Sequence, residues 1–309
     1  MKVIFMGTPD FAVPTLTKLH ESGHEIKLVV TQPDKPSGRG KKLKKSAVKE
    51  KAEQLGLNVF QPDKIKKSEN IGVLRSCDAE VIVVVAYGQL LSKEILDMPK
   101  FGCINVHASI LPKLRGAAPL NWALINGHKH AGVTTMMMDV GLDTGDMLLK
   151  DEIEVDRYMN VGQLHDILME RGAQLLIKTL NKIQDNSITR TKQDETLSTY
   201  APMLNKETQR INWHDSAENI HNLIRGLSPW PTAFFSLDGK FVKVYGSDFS
   251  DEETRHEPGY VEKVQKDGIY VSCKTGTLII KEIQMPGKNK VEVEAYLRGN
   301  NFPENVILK

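Results

Sequence analysis

Apolar and polar positions follow two different rhythms along this chain. Up to about residue 186, short and almost wholly apolar runs recur at residues 3–6, 25–31, 81–86 and 102–107. Runs that short, with no polar alternation, predict strands buried on both faces of a parallel sheet. Helical stretches are predicted between them at 8–22, 47–55, 68–76 and 92–98. Gly23 and Gly56 stop the first two, and Pro99 follows the last. Shorter strands are expected at 58–60, 132–138 and 147–155. Residues 161–183 place Leu164, Ile167, Leu168, Leu175, Leu176, Ile177 and Leu180 on one stripe, the mark of an amphipathic helix covering a sheet. Strand, glycine, helix and strand in this order predict an α/β, Rossmann-like fold with a mostly parallel sheet and helices on both faces.

Beyond the polar, aperiodic stretch from 187 to 206 the period drops to two. After a helix at 217–227, strands are expected at 233–237, 241–245, 259–264, 268–273 and 277–285, with Asp238-Gly239 and Lys266-Asp267-Gly268 as turns. Five or six short strands in about 100 residues predict a small closed β-barrel of the OB type. The expected division is therefore an α/β domain over 1–186, a linker over 187–206 and a barrel over 207–309.

Composition narrows the field. At 309 residues, 40% hydrophobic and 26% charged, the chain is ordinary for a globular protein, and its net charge of +2 does not by itself imply nucleic-acid binding. Charge is concentrated locally, however. Residues 32–45 carry Lys35, Arg39, Lys41, Lys42, Lys44 and Lys45 against Asp34 alone, and Pro33, Pro36, Gly38 and Gly40 predict an irregular loop. Such a loop, leaving the carboxyl edge of a parallel sheet, suits contact with a phosphate backbone. The three cysteines Cys77, Cys103 and Cys273 are widely spaced and form no metal-ligand pattern, so no metal site is expected, and reduced thiols suit a cytoplasmic protein. Cys103 reads as a small core residue, with a thiol nucleophile as the alternative. The N-terminal apolar run is too short for a signal segment, and no run is long enough to span a membrane. The first turn, Gly7-Thr8-Pro9-Asp10-Phe11, is not a dinucleotide fingerprint, which argues against a nicotinamide or flavin oxidoreductase.

Candidate chemistry lies where the fourth buried run ends, in Cys103-Ile104-Asn105-Val106-His107-Ala108-Ser109-Ile110-Leu111-Pro112. Side chains alternate along a strand, so Asn105 and His107 face the same way at its carboxyl end. An amide donor suits a developing oxyanion and an imidazole moves or holds a proton. The stretch Asp139-Val140-Gly141-Leu142-Asp143-Thr144-Gly145-Asp146 follows another apolar run and offers carboxylates to orient the histidine. Tyr87, Leu90 and Leu91 are either walls for a flat ligand or loop packing.

These motifs, with Arg115-Gly116, Tyr200-Ala201-Pro202-Met203, Ile224-Arg225-Gly226-Leu227 and Pro229-Trp230-Pro231, resemble the methionyl-tRNA formyltransferases over nearly the whole chain. Asn-x-His with a following Asp alone marks the wider group of enzymes that use 10-formyltetrahydrofolate; the basic loop and the barrel narrow it. The resemblance implies formyl transfer from 10-formyltetrahydrofolate to the α-amino group of methionyl-initiator tRNA, by a cytoplasmic monomer without a metal. It implies Asn105, His107 and Asp143 as the catalytic set and the folate beside Ser109, Ile110, Leu111 and Pro112. By the same analogy the tRNA meets the basic loop through Arg39, Lys41 and Lys42, and the barrel adds a second RNA surface. Rivals are a formyl-folate enzyme acting on an amino sugar or hydrolysing the donor, and an RNA-binding protein without catalysis.

Overall fold

The computed structural model describes residues 1–37, 42–252 and 255–309, with only the backbone described at Ser37 and Lys42. The chain forms two compact units: Met1–Gly116, Gly132–Ile153 and His165–Tyr200 make the first, and Ala117–Ala131, Glu154–Leu164 and Ala201–Lys309 the second.

The first unit opens with β1 (Lys2–Gly7), α1 (Val13–Glu21) and β2 (Glu25–Val30). A short ribbon of β3 (Lys35–Ser37) and β4 (Lys42–Lys44) follows, then α2 (Ala47–Gln54), β5 (Val59–Phe60), α3 (Ser68–Ser76), β6 (Val81–Val85), α4 (Lys93–Leu96), β7 (Cys103–His107) and β8 (Arg115–Gly116). After α5 (Pro119–Ile125), which belongs to the second unit, come β9 (His130–Met137), β10 (Met147–Glu154) and α6 (Val161–Gln184). Seven strands form one sheet in the order β10-β9-β7-β6-β1-β2-β5. The five from β7 to β5 run parallel, while β9 pairs antiparallel with β7. From β1 the chain steps to β2 on one side and later to β6 on the other, so the strand order reverses beside β1, where sites of open α/β sheets lie.

Alternation decides what each face meets. Ile4, Met6, Ile82, Val84 and Cys103 pack with Ile71 and Leu74 of α3 and Ile95 and Leu96 of α4. On the opposite face α6 comes so close that a Cβ on Gly172 would lie 3.0 Å from Val106 Cγ1. Asn105 and His107 alternate with Ile104 and Val106 and so belong to the α3–α4 face, at the carboxyl end of β7.

One expected irregular segment is partly regular. Lys35–Ser37 pairs antiparallel with Lys42–Lys44, Pro36 standing opposite Leu43. In a two-stranded ribbon every strand is an edge, and a proline costs no ladder bond where its nitrogen faces away from the partner. Asp34, at the base of this ribbon, accepts from Lys49 Nζ at 2.7 Å and from Gln61 Nε2 at 2.8 Å. The ribbon's single acidic residue is thus engaged by α2 and the segment after β5.

In the second unit, β11 (Tyr200–Ala201) and α7 (Lys206–Gln209) lead to α8 (Ala217–Leu227), which packs on α5 and on a β-structure. Its strands are β12 (Ala233–Leu237), β13 (Lys240–Ser250), β14 (Val261–Gln265), β15 (Gly268–Ser272), β16 (Thr277–Gln284) and β17 (Lys290–Glu292), followed by α9 (Val293–Leu297). The order is β12-β13-β16-β15-β14, with β17 also on β16, and the pairs are antiparallel. β13 runs past its expected end because the register shifts around Gly246 absorb the bend there. The last residues close the ring. Val261 donates to Val306 O at 2.9 Å and Leu308 to Gly259 O at 2.8 Å on the β14 side, while Lys309 and Ser236 exchange backbone bonds on the β12 side. Closure leaves neither β12 nor β14 as a free edge.

Deleting residues 306–309 removes those four backbone bonds and the buried Leu308 side chain. At about 1 kcal/mol net per bond, plus about 2 kcal/mol for a buried leucine, the loss is about 6 kcal/mol for this unit. Thermal unfolding followed by circular dichroism is expected to show an earlier transition; an unchanged melting profile would show that the tail is not the closing strand.

Candidate active site

β7 ends by presenting His107 into a nearly closed space. Its side chain is 7% exposed and that of the facing Asp143 15%. A buried imidazole needs partners for both nitrogens. Nε2 lies 3.0 Å from the Leu114 carbonyl, which can only accept, so Nε2 carries the proton and donates. Nδ1 faces Asp143 Oδ2 at 3.7 Å, an ion-pair distance too long for a direct hydrogen bond. Oδ2 instead accepts from the Gly116 backbone N–H at 2.8 Å. The other carboxylate oxygen, Oδ1, has no hydrogen-bond partner among the described residues.

Asn105 lies two residues earlier on the same strand face, half-buried, and its side-chain amide likewise has no partner among the described residues. The three sequence-predicted residues therefore meet as a strand pair faced by a carboxylate. Both groups that meet the imidazole come from strained backbone: Leu114 has φ +59° and Asp143 φ +55°, in the left-handed region that L-residues avoid.

The segment Ser109–Pro112 leaves β7 beside this site, and its backbone is tied down by side chains from neighbouring strands. Thr134 Oγ1, on β9, donates to Ser109 O at 2.7 Å and accepts from Leu111 N–H at 3.2 Å. Lys150 Nζ, on β10, donates to Leu111 O at 2.5 Å, and burial holds that ammonium below the ordinary lysine value. Ser109 Oγ donates to Lys113 O at 2.6 Å. These bonds engage Ser109 O, Leu111 N–H and Leu111 O and hold the segment in place beside His107.

Other sequence candidates fall elsewhere. Cys103 is 1% exposed, and burial, helped by the charge of Asp97, pushes its thiol up to about 12, so it holds no thiolate at neutral pH and is a core residue. Tyr87 packs in the α3–α4 core at 1% exposure, and burial raises its hydroxyl to about 12; Leu90 stands 68% exposed. Arg39 and Lys41 lie outside the described residues, and of Lys42 only the backbone in β4 is described. Among the described residues no group of three or more His, Cys, Asp or Glu is arranged to hold a metal ion, and no helix is long and apolar enough to cross a membrane.

Thr134, Lys150 and Gln193 also reach this site, and nothing local in the sequence marks them. Gln193 Nε2 donates to Asp143 O at 2.7 Å and Gly145 O at 2.8 Å. Thr134 sits in a strand pattern and Gln193 in a polar stretch with no period, so neither carried a local signal.

Comparison with known proteins agrees with this layout. Residues 1–180 match the family model described as formyl transferase, and residues 203–301 the one described as formyl transferase, C-terminal domain. A methionyl-tRNA formyltransferase of Clostridium acetobutylicum is 52% identical over 310 residues, covering all of both chains, and one of Clostridium novyi is 51% identical over the same length and coverage. Among solved structures, the sugar 3N-formyltransferase WlaRD, crystallised with dTDP and 5-N-formyl-tetrahydrofolate, shares the fold at a TM-score of 0.69 and 20% identity, over 94% of this chain and 99% of that one. HypX from Aquifex aeolicus in complex with tetrahydrofolic acid aligns at a TM-score of 0.63 and 16% identity, over 97% of this chain and 47% of that one. From the full-length identity and both domain matches, this chain belongs to the methionyl-tRNA formyltransferase family.

Proposed function

We propose that the chain transfers the formyl group of 10-formyltetrahydrofolate to the α-amino group of methionyl-initiator tRNA, using Asn105, His107 and Asp143. The observation that carries this reading is a pair of polar groups without partners among the described residues, the Asn105 amide and Asp143 Oδ1, beside a buried histidine. Buried or half-buried polar groups left open in this way suit a reacting molecule.

The nucleophile is the substrate's own amine, so the protein needs no nucleophile. The neutral nitrogen attacks the formyl carbon, forming a C–N bond and a tetrahedral oxyanion. Asn105 Nδ2 and a proton on His107 Nδ1 donate to that oxygen, with the Asp143 carboxylate as counter-charge. The amine's proton passes to Asp143 Oδ1, directly or through one water. The intermediate then collapses, the bond to folate N10 breaks, and that nitrogen takes the proton held by Asp143, directly or through the same water, as tetrahydrofolate leaves. The backbone of Ser109–Pro112 holds the pterin. The basic stretch 32–45 meets tRNA phosphates through Arg39, Lys41 and Lys42; its one acidic residue, Asp34, is engaged by Lys49 and Gln61.

The direct test is mass detection of N-formylmethionyl-tRNA from charged initiator tRNA and the folate donor; donor consumption equally fast without tRNA would point to hydrolysis instead. In single turnover, Asn105→Ala is expected to lose an oxyanion donor and with it about 100- to 1,000-fold in rate, on the order of 3–4 kcal/mol. Asp143→Asn is expected to be at least as slow, and near-normal rates in either folded variant would remove the mechanism. Replacing Arg39, Lys41 and Lys42 together by Ala is expected to raise KM for tRNA and to flatten its dependence on salt by a slope of about two to three; an unchanged salt slope counts against the ribbon. Because the Cys103 thiol is buried and protonated, iodoacetamide at pH 8 is expected to leave the transfer rate unaltered, whereas inactivation that substrate prevents would revive a thiol nucleophile.

A further inference from the structure

The polar segment after α6 does more than connect. It passes behind the catalytic carboxylate and contributes Gln193, Glu195 and Thr199 to one hydrogen-bonded chain, all within the first unit. At its centre is Arg115, 0% exposed although it is a permanent cation. A guanidinium withdrawn from water that far needs every donor occupied. Glu195 takes two of them in a fork, Nη1 to Oε2 and Nη2 to Oε1, each at 2.8 Å. Gln193 Oε1 accepts two more, from Nε at 3.0 Å and from Nη2 at 2.9 Å, so these two side chains take four of the five guanidinium N–H groups.

With its oxygen fixed on Arg115, the Gln193 amide can turn its nitrogen only one way. Nε2 donates to both Asp143 O and Gly145 O, gripping the backbone on both sides of Thr144. The residue after Arg115, Gly116, gives its N–H to Asp143 Oδ2. The catalytic carboxylate is therefore held twice from one origin: by its side chain from Gly116, and by its carbonyl through Gln193 from the Arg115 guanidinium. Thr199 completes the frame. Its Oγ1 accepts from Leu114 N–H at 2.9 Å and its carbonyl from Arg115 N–H at 2.9 Å, which fixes the carbonyl that receives His107.

We infer that Gln193 is a positioning residue for formyl transfer: clamped by Arg115 and Glu195, it holds the strained Asp143 corner at its working distance from His107. The inference rests on the reading of Asp143 as catalytic. Its physical content is a division between the two ends of one amide. The oxygen satisfies Arg115 and is structural; the nitrogen holds the loop and sets the rate.

Gln193→Glu separates these ends. A carboxylate still accepts from Arg115, so the buried cation stays paired, but it has no N–H to give and turns an oxygen toward the two loop carbonyls. Gln193→Asn, run alongside, keeps both polar atoms and draws them back by one methylene, so a folding failure of one variant does not end the test. Both are expected to keep the parent melting temperature within a few degrees. In single turnover with methionyl-initiator tRNA and formyl-folate, both are expected to lose roughly 10- to 100-fold in rate, the scale of a displacement of about 1 Å, with KM for both substrates within about twofold. Placed on Asp143→Asn, Gln193→Glu is expected to cost little more, because it acts through a group already disabled. A parent-like rate in folded variants, or a full additional loss on Asp143→Asn, overturns the inference. If Asp143→Asn alone is as fast as the parent, the reading of Asp143 fails instead.

Discussion

The site depends on how a buried imidazole is set between one hydrogen bond and one charge. Only Nε2 of His107 is hydrogen-bonded within the protein while Nδ1 is faced by a carboxylate, and neither neighbour comes from its own strand. Leu114 O takes Nε2 and Asp143 faces Nδ1, and each belongs to a residue with positive φ. A left-handed conformation costs an L-residue about 1–2 kcal/mol, more comfortably tolerated by Asp than by Leu. Two such corners on either side of one ring persist only because the surrounding bonds over-determine them. Thr199 holds the first and Gly116 with Gln193 the second, so the strain is met by hydrogen bonds from residues 27, 50 and 85 positions away in sequence.

That dependence explains what was legible beforehand. The parallel sheet, its covering helices and the antiparallel barrel followed from periods of hydrophobicity, because burial is written into each residue's own chemistry. Asn105 and His107 were readable as a pair because strand alternation is geometric, whereas Asp143 was singled out among the carboxylates of residues 139–146 only by the family resemblance. Gln193 was not readable. Its importance comes from which backbone carbonyls lie beside it, a matter of tertiary position in a stretch whose composition resembles any exposed loop. Arg115 was visible as a motif residue, yet a sequence cannot say that a cation is wholly buried.

The loop from 32 to 45 illustrates a different limit. Prolines and glycines forecast irregularity, since each weakens a strand interior, but the rule assumes a ladder with partners on both sides. In a ribbon of two strands that assumption lapses, and Pro36 is accommodated opposite Leu43. The barrel's closure was hidden for a related reason. Residues 306–309 are too short to show a period, and they become structural only by lying between β12 and β14.

The 3.7 Å separation of His107 and Asp143 has a chemical consequence of its own. Were Asp143 hydrogen-bonded directly to Nδ1, the proton there would be committed to the carboxylate and turned away from any reacting oxygen. At the observed distance the carboxylate supplies charge without taking the bond, and Nδ1 is left to donate elsewhere. The Gly116 N–H enforces this by engaging Oδ2, the oxygen nearer the ring. In the proposed mechanism Oδ1 is the oxygen that receives the amine's proton. On that proposal one carboxylate serves two ends of the reaction, because a backbone amide decides which oxygen does which, and a lost Gly116 bond would merge the two roles without removing either side chain.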